Sequence, residues 1–424
     1  MMHRIKTYCR HTFSSLAIRN YRLYFMGQSI SLSGTWMQTI AQSWLVLELT
    51  GSGTALGFVT ALQFLPVLIL GPWGGVVADR FSKRKLLYVT QATAGVLALI
   101  LGILVATHTV QLWMVYVLAG FLGLVKAVDN PTRQTFVFEM VGGEHLKNAV
   151  TLNSMAVNLA RVIGPAIAGI VIASIGLALC FILNAASFMA VLVCLYLMHS
   201  RELLTAKTVK RAKGQVREGL NYIWHTPLVR DVLIMVTFIG MFAYEFQVSL
   251  ALLAKYTFHG NAGTYALLNS AMGIGAIMGG LIVAGRRKSS PKNLMAIAIL
   301  FGLMMIVVSF SPNLPFAIAA MVIVGICSIS FTSLGNTILQ LESSPQMRSR
   351  VMAFWSVAFL GSTPIGGPII GWIGEHIDPR WGIAVGGIVA IGAGIFGFIA
   401  LKYHPKQKLF EGDVMLDEIS SSTK

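Results

Sequence analysis

Charge is scarce in this chain: Asp, Glu, Lys and Arg together make up 11% of its 424 residues, while hydrophobic residues make up 55%. A soluble protein carries about 25% charged residues, so the composition excludes a soluble globular chain and describes an integral membrane protein. Short alternating apolar segments are missing, which excludes a β-barrel. Cysteine is rare as well. Cys9, Cys180, Cys194 and Cys327 are scattered, mostly inside apolar runs, and form neither a disulfide framework nor a metal-ligand spacing. The nine histidines fall in loops and tails without paired spacing, so no metal site is expected. No glycine-rich loop precedes a Lys-Ser/Thr pair, so ATP hydrolysis is not encoded and no cofactor is expected. No Ser/His/Asp arrangement occurs in compatible loops, which argues against a membrane enzyme. A repeated pore loop or ring of like charge, as in a channel, is also missing.

What the chain does hold is apolar runs near 20 residues long, the length of a membrane-crossing helix. Twelve are counted, near 22–47, 54–78, 85–107, 111–130, 149–174, 178–198, 229–254, 264–285, 293–311, 314–338, 350–373 and 382–402. Residues 1–21 are basic and mildly amphipathic; with no small-residue cleavage site they read as a lead-in on the membrane surface rather than a signal peptide. The expected units are this lead-in, a six-helix bundle over 22–198, a linker over 199–228, a second bundle over 229–402 and a tail over 403–424. The net charge of +16 suggests nucleic acid only until the charges are located. With the N-terminus inside, 28 of the 32 lysines and arginines fall in cytoplasmic segments; Lys255 and Arg380 lie outside, and Lys126 and Arg161 fall within spans. That asymmetry follows the positive-inside rule and places both termini in the cytoplasm.

Two features repeat about 203 residues apart. Gly164-Pro165 in the fifth span is matched by Gly367-Pro368 in the eleventh, and Gly75…Asp79-Arg80 after the second span by Gly280…Arg286-Arg287-Lys288 after the eighth. Two such halves make parallel repeats about an axis along the membrane normal, with a substrate site at the midplane between them. The stretch Gly75 to Lys85, GVVADRFSKRK, closes the second span. Gly75 would admit a close neighbour. Asp79 places a carboxylate at a helix C-terminus, where it needs a partner, and Arg80, Lys83, Arg84 and Lys85 hold the turn to the cytoplasmic side. A plain topology loop, with Asp79 paired to Arg80, accounts for the same residues.

GVVADRFSKRK resembles the signature loop of the major facilitator superfamily, with Ser82 where glycine is usual. The resemblance extends over essentially the whole chain and implies an all-α membrane protein of twelve transmembrane helices in two six-helix pseudo-symmetric halves. It implies that Asp79 contacts the start of the eleventh helix, near Arg350, to close a cytoplasmic gate. NYRLYFMGQSISLSGTWMQ (20–38), VDNPTRQ (128–134), LNAASF (183–188) and NTILQ (336–340), followed by Arg348, Arg350 and Val351, resemble the enterobactin-exporter-like branch. LARVIGPAIAG (159–169) resembles the second part of the exporters' span-five motif, whose Gly164-Pro165 would form a flexible gating bend; Thr151 and Ala160 stand where earlier glycines are expected. A simple kink in a tightly packed helix is the other reading.

Gln28, Ser31, Thr35, Gln38 and Gln42 recur at three- and four-residue steps and make one polar stripe on the first span. Lipid does not tolerate such a stripe, so it faces a substrate cavity or bonds to other helices. Ser333, Asn336 and Gln340 repeat the pattern on the tenth span, and family architecture places spans one, four, seven and ten around the cavity. Trp36, Tyr116, Tyr244, Phe246 and Trp355 could add aromatic surface. Glu245 lies about 22 Å and Arg161 about 18 Å from the cytoplasmic end at 1.5 Å per residue; similar depth permits an ion pair. Lys126 and Asp129 form a local pair or line the cytoplasmic mouth. A buried carboxylate that opens to each side in turn can carry a proton, so Glu245 is the expected coupling acid, with Asp129 second; a static Glu245–Arg161 pair is the alternative.

These readings describe a proton-driven exporter of a small amphipathic molecule, a siderophore or drug, in a bacterial inner membrane. Its expected partners are the substrate, protons and membrane lipids, with no nucleic acid, and one chain suffices as a monomer. A lipid or lysophospholipid transporter, or an importer, of the same fold is the alternative. In a chain with its native cysteines replaced, a cysteine at Thr109 is expected to react with a membrane-impermeant maleimide in intact cells. One at Ser344 is expected to react only after permeabilisation; the reverse pattern would overturn the orientation.

Overall fold

The computed structural model describes residues 14–204, 215–285 and 290–403, apart from the side chains of Pro72, Asp79, Gln215, Val216 and Tyr403. Most of the N-terminal lead-in, the middle of the linker, the Arg286-Arg287-Lys288 repeat and the C-terminal tail lie outside the described residues. Within them every regular element is helical. In lipid a backbone amide has no water to bond, and an apolar run satisfies its amides internally only as a helix.

The first half comprises α1 (Arg19–Thr50), α2 (Gly53–Arg80), α3 (Lys83–Ala106), α4 (Leu112–Ser174) and α5 (Leu177–Tyr196). A short amphipathic α6 (Gln215–His225) follows. The second half comprises α7 (Pro227–Ala243), α8 (Phe246–Leu252), α9 (Ala262–Ala284), α10 (Pro291–Ser309), α11 (Leu314–Glu342), α12 (Arg348–Leu360), α13 (Thr363–His376) and α14 (Pro379–Tyr403). Among the described residues, ten helical stretches are long and apolar enough to cross a membrane. The 32-residue α1 is kept out of that set by its polar stripe. The 63-residue α4 counts once although Gly142, at φ 68° and ψ −177°, divides it into two limbs. The fold is therefore all-helical with ten to twelve apolar helices.

Three details add to the expected spans. Spans four and five are not joined by a loop over 131–148, because both limbs of α4 continue as helix to the single residue Gly142. That conformation is left-handed, which a residue without Cβ adopts freely. Span seven breaks at Tyr244–Glu245, between α7 and α8, and span eleven is interrupted at Gly361–Ser362, between α12 and α13, where both residues keep right-handed helical dihedrals.

Packing runs through glycines, which let backbones touch where lipid supplies no hydrophobic drive for association. A Cβ on Gly275 of α9 would lie 1.9 Å from the Val322 carbonyl oxygen of α11, and one on Gly325 of α11 would lie 2.0 Å from the Met272 carbonyl oxygen. The same pairing recurs between α2 and α4, where Gly74 meets the Ala127 carbonyl at 2.0 Å and Gly123 meets those of Leu62 and Gln63 at 2.8 Å. Pro131 and Pro66 lie four residues after Ala127 and Leu62 and have no N–H to give them. Each proline thus frees a carbonyl that the opposite helix covers with a glycine, bringing Cα hydrogens within reach. Gly74, one residue before the expected Gly75, makes this close approach.

The repeat extends to the contacts between halves. The second limb of α4 meets α9 at Gly273, where a Cβ would lie 3.1 Å from the Arg161 carbonyl oxygen, as α13 meets α2 at Gly371, where a Cβ would lie 2.1 Å from the Gly53 carbonyl oxygen. Gly164 lies against Ser33, Trp36 and Met37 of α1, as Gly366 lies against Met241 of α7. Pro165 is accommodated inside α4, whose only non-helical residue is Gly142, so Gly164-Pro165 marks a close helix contact here. Gly275→Leu is expected to destabilise the protein by roughly 1–3 kcal/mol through overpacking, read as a lower midpoint of thermal aggregation in detergent. Gly120→Leu, where a Cβ meets nothing within 4 Å, is expected to leave the midpoint unchanged.

Candidate substrate cavity

The two helix breaks lie side by side and form one wall of a large cavity. After Ala243 the chain leaves the helix at Tyr244 and Glu245 (φ −80°, ψ 39°). The Glu245 carbonyl then accepts from the amides of Val248 and Ser249 at 3.1 and 2.9 Å. Opposite, Gly361 and Ser362 separate α12 from α13, and Cβ positions on Gly366 and Gly367 would lie 3.2 and 3.5 Å from the Glu245 carboxylate oxygens. Irregular backbone at this depth is tolerated where it is buried in protein or faces a cavity.

The cavity has a volume of about 500 Å³ and takes walls from both halves. The first half supplies Trp36 and Thr39 of α1, Thr60 and Phe64 of α2 and Arg161 of α4; the second supplies Tyr244 to Gln247, Asn269 of α9, Ser328, Ser333 and Asn336 of α11, Trp355 and Phe359 of α12 and Thr363 of α13. Aromatic rings cluster on the second-half side. Tyr244 lies 4.7 Å from Phe359 and 6.0 Å from Phe246, and Trp355 stacks on Phe359 at 6.1 Å. The Tyr244 hydroxyl donates to the Ser328 carbonyl at 2.8 Å and accepts from the Ser328 hydroxyl at 3.1 Å, which fixes the ring at the break. Tyr116 instead packs against the hydrophobic core.

Among the described residues, Glu245 and Arg161 are the only charged ones lining this cavity. Glu245 is 3% exposed and its Oε1 has no hydrogen-bond partner. Arg161 has its guanidinium over the Trp36 ring, 5.1 Å from the centroid, and its Nε is buried without a partner. No ion pair joins the two, so the alternative of a static Glu245–Arg161 pair is not what the structure holds. The Gln247 amide is likewise buried with an unpartnered nitrogen.

The polar stripe of α1 faces elsewhere. Thr35, Gln38 and Gln42 line a separate cavity of about 50 Å³ inside the first half, with Gln63, Gln91, Lys126, Asp129, Arg133 and Asn184. Gln28 accepts from Arg133 Nη1 at 2.8 Å, and Gln38 accepts from Asn184 Nδ2 at 2.6 Å. Buried Ser31 takes a hydrogen bond on its carbonyl from Thr35. Asp129 is paired with Arg133, one helical turn on, rather than with Lys126, and accepts from Thr90 at 2.7 Å and Gln91 at 2.8 Å. Lys126 donates to Gln63 at 3.3 Å and lies over the Phe64 ring. On α11, Ser333 and Asn336 reach the large cavity, whereas Gln340 is exposed and donates to Asn336. Thr39, Thr60, Phe64, Gln247 and Asn269 went unnoticed in the sequence; Thr39 lies one residue beyond the stripe, and the others are isolated among apolar neighbours.

At the end bearing Gly51 the halves are latched. One Glu375 oxygen accepts from the Ser52 hydroxyl at 2.7 Å and from the amide and hydroxyl of Thr54 at 2.9 and 2.6 Å. An α13 carboxylate thereby caps the N-terminus of α2, where the helix dipole favours negative charge. Lys255 Nζ donates to the Leu47 carbonyl at 2.5 Å, and the Tyr256 hydroxyl donates to that of Gly51 at 2.6 Å. At the opposite end the basic turn is tied to its own half. Lys83 pairs with Glu139 at 2.8 Å, and Arg84 donates to the Leu195 carbonyl and to Ser200. Arg80 is exposed, and the Asp79 side chain lies outside the described residues. Arg350, the expected neighbour of Asp79, pairs with Glu218 of α6 at 2.8 Å.

Residues 10–411 match the model of the transmembrane secretion effector family. The chain belongs to that family. It is a multi-pass membrane transporter of the major facilitator superfamily, not an enzyme. Its relatives include the staphyloferrin A transporter of Staphylococcus aureus, 27% identical over 61% of this chain and 66% of that protein. The multidrug efflux pump Tap of Mycolicibacterium fortuitum is 25% identical over 81% of this chain and 87% of Tap, and the enterobactin exporter EntS of Shigella flexneri is 23% identical over 85% and 86%. Among solved structures, the nucleoside transporter NupG superposes with a TM-score of 0.73 over 92% of this chain and all of that one, at 14% identity. A bacterial homologue of the human lysosomal transporter spinster, inward-facing and occupied, gives 0.70 over 91% and 97%, at 15% identity. These likenesses show the fold alone.

Asp129→Asn is expected to destabilise this transporter by about 3–5 kcal/mol, because it strands the Arg133 charge inside the bundle. Asp129→Asn/Arg133→Gln is expected to recover part of that loss in a double-mutant cycle read by thermal stability in detergent.

Proposed function

We propose that the protein is a secondary active exporter that moves a small amphipathic molecule, a siderophore or drug, out of a bacterial cell in exchange for protons. The observation that carries this reading is the cavity between the halves, lined by aromatic rings and holding an acid that no cation neutralises. A carboxylate fixed by an ion pair must break that pair to take a proton; Glu245 has none to break. Asp129 would give up Arg133, Thr90 and Gln91 together, so it follows Glu245 as the second acid. Arg161 lines the same cavity with its guanidinium held over Trp36, a positive charge in the substrate path that no carboxylate neutralises.

Alternating access supplies the cycle. The Glu375 latch closes the end bearing Gly51, while the basic turn at Lys83 and Arg84 holds to its own half, which supports a conformation open toward the basic, cytoplasmic side. Gly75, Asp79 and Arg80 would close that side when the latch opens, and the α4–α1 contact at Gly164-Pro165 would give way between the two states. The many exposed Ile, Leu and Phe side chains, among them Ile170 and Leu281, face membrane lipids, and a single chain encloses the cavity. Proton exchange has adequate drive, since one charge crossing 100 mV yields about 2.3 kcal/mol. The names of the efflux pump Tap and the enterobactin exporter EntS support the export direction, and that of the staphyloferrin A transporter supports a siderophore as substrate.

In an efflux-deficient host, expression is expected to lower accumulation of at least one compound from a panel of catecholate siderophores and amphipathic dyes. An uncoupler is expected to abolish the difference, and Glu245→Gln to abolish substrate-driven proton movement in proteoliposomes. Proton movement intact in Glu245→Gln would overturn its coupling role, and no change for any compound would favour lipid transport or uptake.

A further inference from the structure

Five buried side-chain atoms among the described residues have no hydrogen-bond partner, and three of them, Glu245 Oε1, Arg161 Nε and Gln247 Nε2, belong to residues lining the large cavity. A buried polar atom left without a partner costs about 1–3 kcal/mol, more when charged, so such atoms gathered around one space are acceptors and donors awaiting a guest. Their chemistry is mixed. Glu245 offers an acceptor for a cation; Arg161 and Gln247 offer donors for an anion. The remaining polar groups of the wall are neutral hydroxyls and amides, and with a single charge of each sign the cavity is formally neutral. A guest carrying only a cation would leave Arg161 unanswered, and one carrying only an anion would leave Glu245 so.

We propose that the cavity recognises a zwitterion: an amphipathic molecule with an ammonium group bound by Glu245, a carboxylate or similar anion bound by Arg161 and Gln247, and an apolar body set against Tyr244, Trp355 and Phe359. This rests on reading the cavity as the substrate site and adds the charge pattern of the substrate. It also gives the exchange a physical basis, because the substrate ammonium and a proton compete for one carboxylate.

The test uses the full chain in lipid nanodiscs and four dansyl probes of matched length, followed by fluorescence anisotropy without any ion gradient. Nε-dansyl-lysine carries both charges, dansylcadaverine the ammonium alone, N-dansyl-6-aminohexanoate the carboxylate alone, and N-hexyl-dansylamide neither. Losing a hydrogen bond to a charged group corresponds to about tenfold or more in affinity. The wild-type protein is therefore expected to bind Nε-dansyl-lysine at least about tenfold more tightly than each of the other three. Arg161→Gln is expected to lower its affinity to that of dansylcadaverine while leaving dansylcadaverine unchanged, and Glu245→Gln to lower it to that of N-dansyl-6-aminohexanoate. Arg161→Lys, which keeps the cation, is expected to recover most of the loss and shows that the site is folded. Equal binding of the uncharged probe, or loss spread equally over all four probes in both variants, would overturn the proposal. Because no gradient is present, this pattern stands or falls separately from proton-driven export: selective binding without uncoupler-sensitive efflux would sink the transport reading alone, and efflux without charge selectivity would sink this one alone.

Discussion

A bilayer offers no hydrogen-bond partner to a backbone or a charge, and the architecture follows from that constraint. It makes every described element helical. It also dictates where helices can be interrupted. The Tyr244–Glu245 and Gly361–Ser362 breaks lie side by side against one polar space instead of meeting lipid. Where proline frees a carbonyl inside the membrane, at Leu62 and Ala127, a glycine on the crossing helix covers it. The α2–α4 crossing is thus built from defects that each helix repairs in the other, and the glycine-lined α9–α11 crossing holds the matching place in the second half without prolines.

The same constraint separates two kinds of polar cluster. In the first half, Asp129 has Arg133, Thr90 and Gln91, Gln28 has Arg133, and Gln38 has Asn184. That network leaves Gln28 Nε2 and Gln91 Oε1 without partners, but its small cavity of about 50 Å³ has little room for a guest. Between the halves, Glu245, Arg161 and Gln247 keep atoms without partners around a much larger space. Buried groups that satisfy one another hold a bundle together; buried groups that do not are available to something that comes and goes.

Apolar run length was enough to place the helices, because lipid forces long uninterrupted hydrophobic stretches that nothing else in a chain imitates. The stripe on α1 was equally legible as polar and inward-facing. Which interior it faced was not, since periodicity reports one face of one helix and says nothing of what stands opposite; the face turned out to meet α4 and α5, leaving Trp36 and Thr39 to reach the central cavity. The break in α12–α13 carries a signal, Gly361-Ser362-Thr363-Pro364, whereas the break at Tyr244–Glu245 has neither glycine nor proline and arises from tertiary packing against Gly366. Glu245 and Arg161 were conspicuous as charges in apolar runs, and similar depth suggested a pair. Depth fixes position along the membrane normal but not direction around each helix, so the separation of the two groups emerged only in three dimensions.

The Glu375 contact has a consequence for opening. It closes one side of the molecule with hydrogen bonds at a helix end that lies near water, not with a buried apolar seam. When Ser52 and Thr54 let go, water takes their place on the exposed carboxylate, so each bond given up costs about 1.5–3 kcal/mol, the net range for a charged acceptor. In the alternating-access cycle proposed above, such a clasp would fix the register of the closed state and exchange its partners for water on opening.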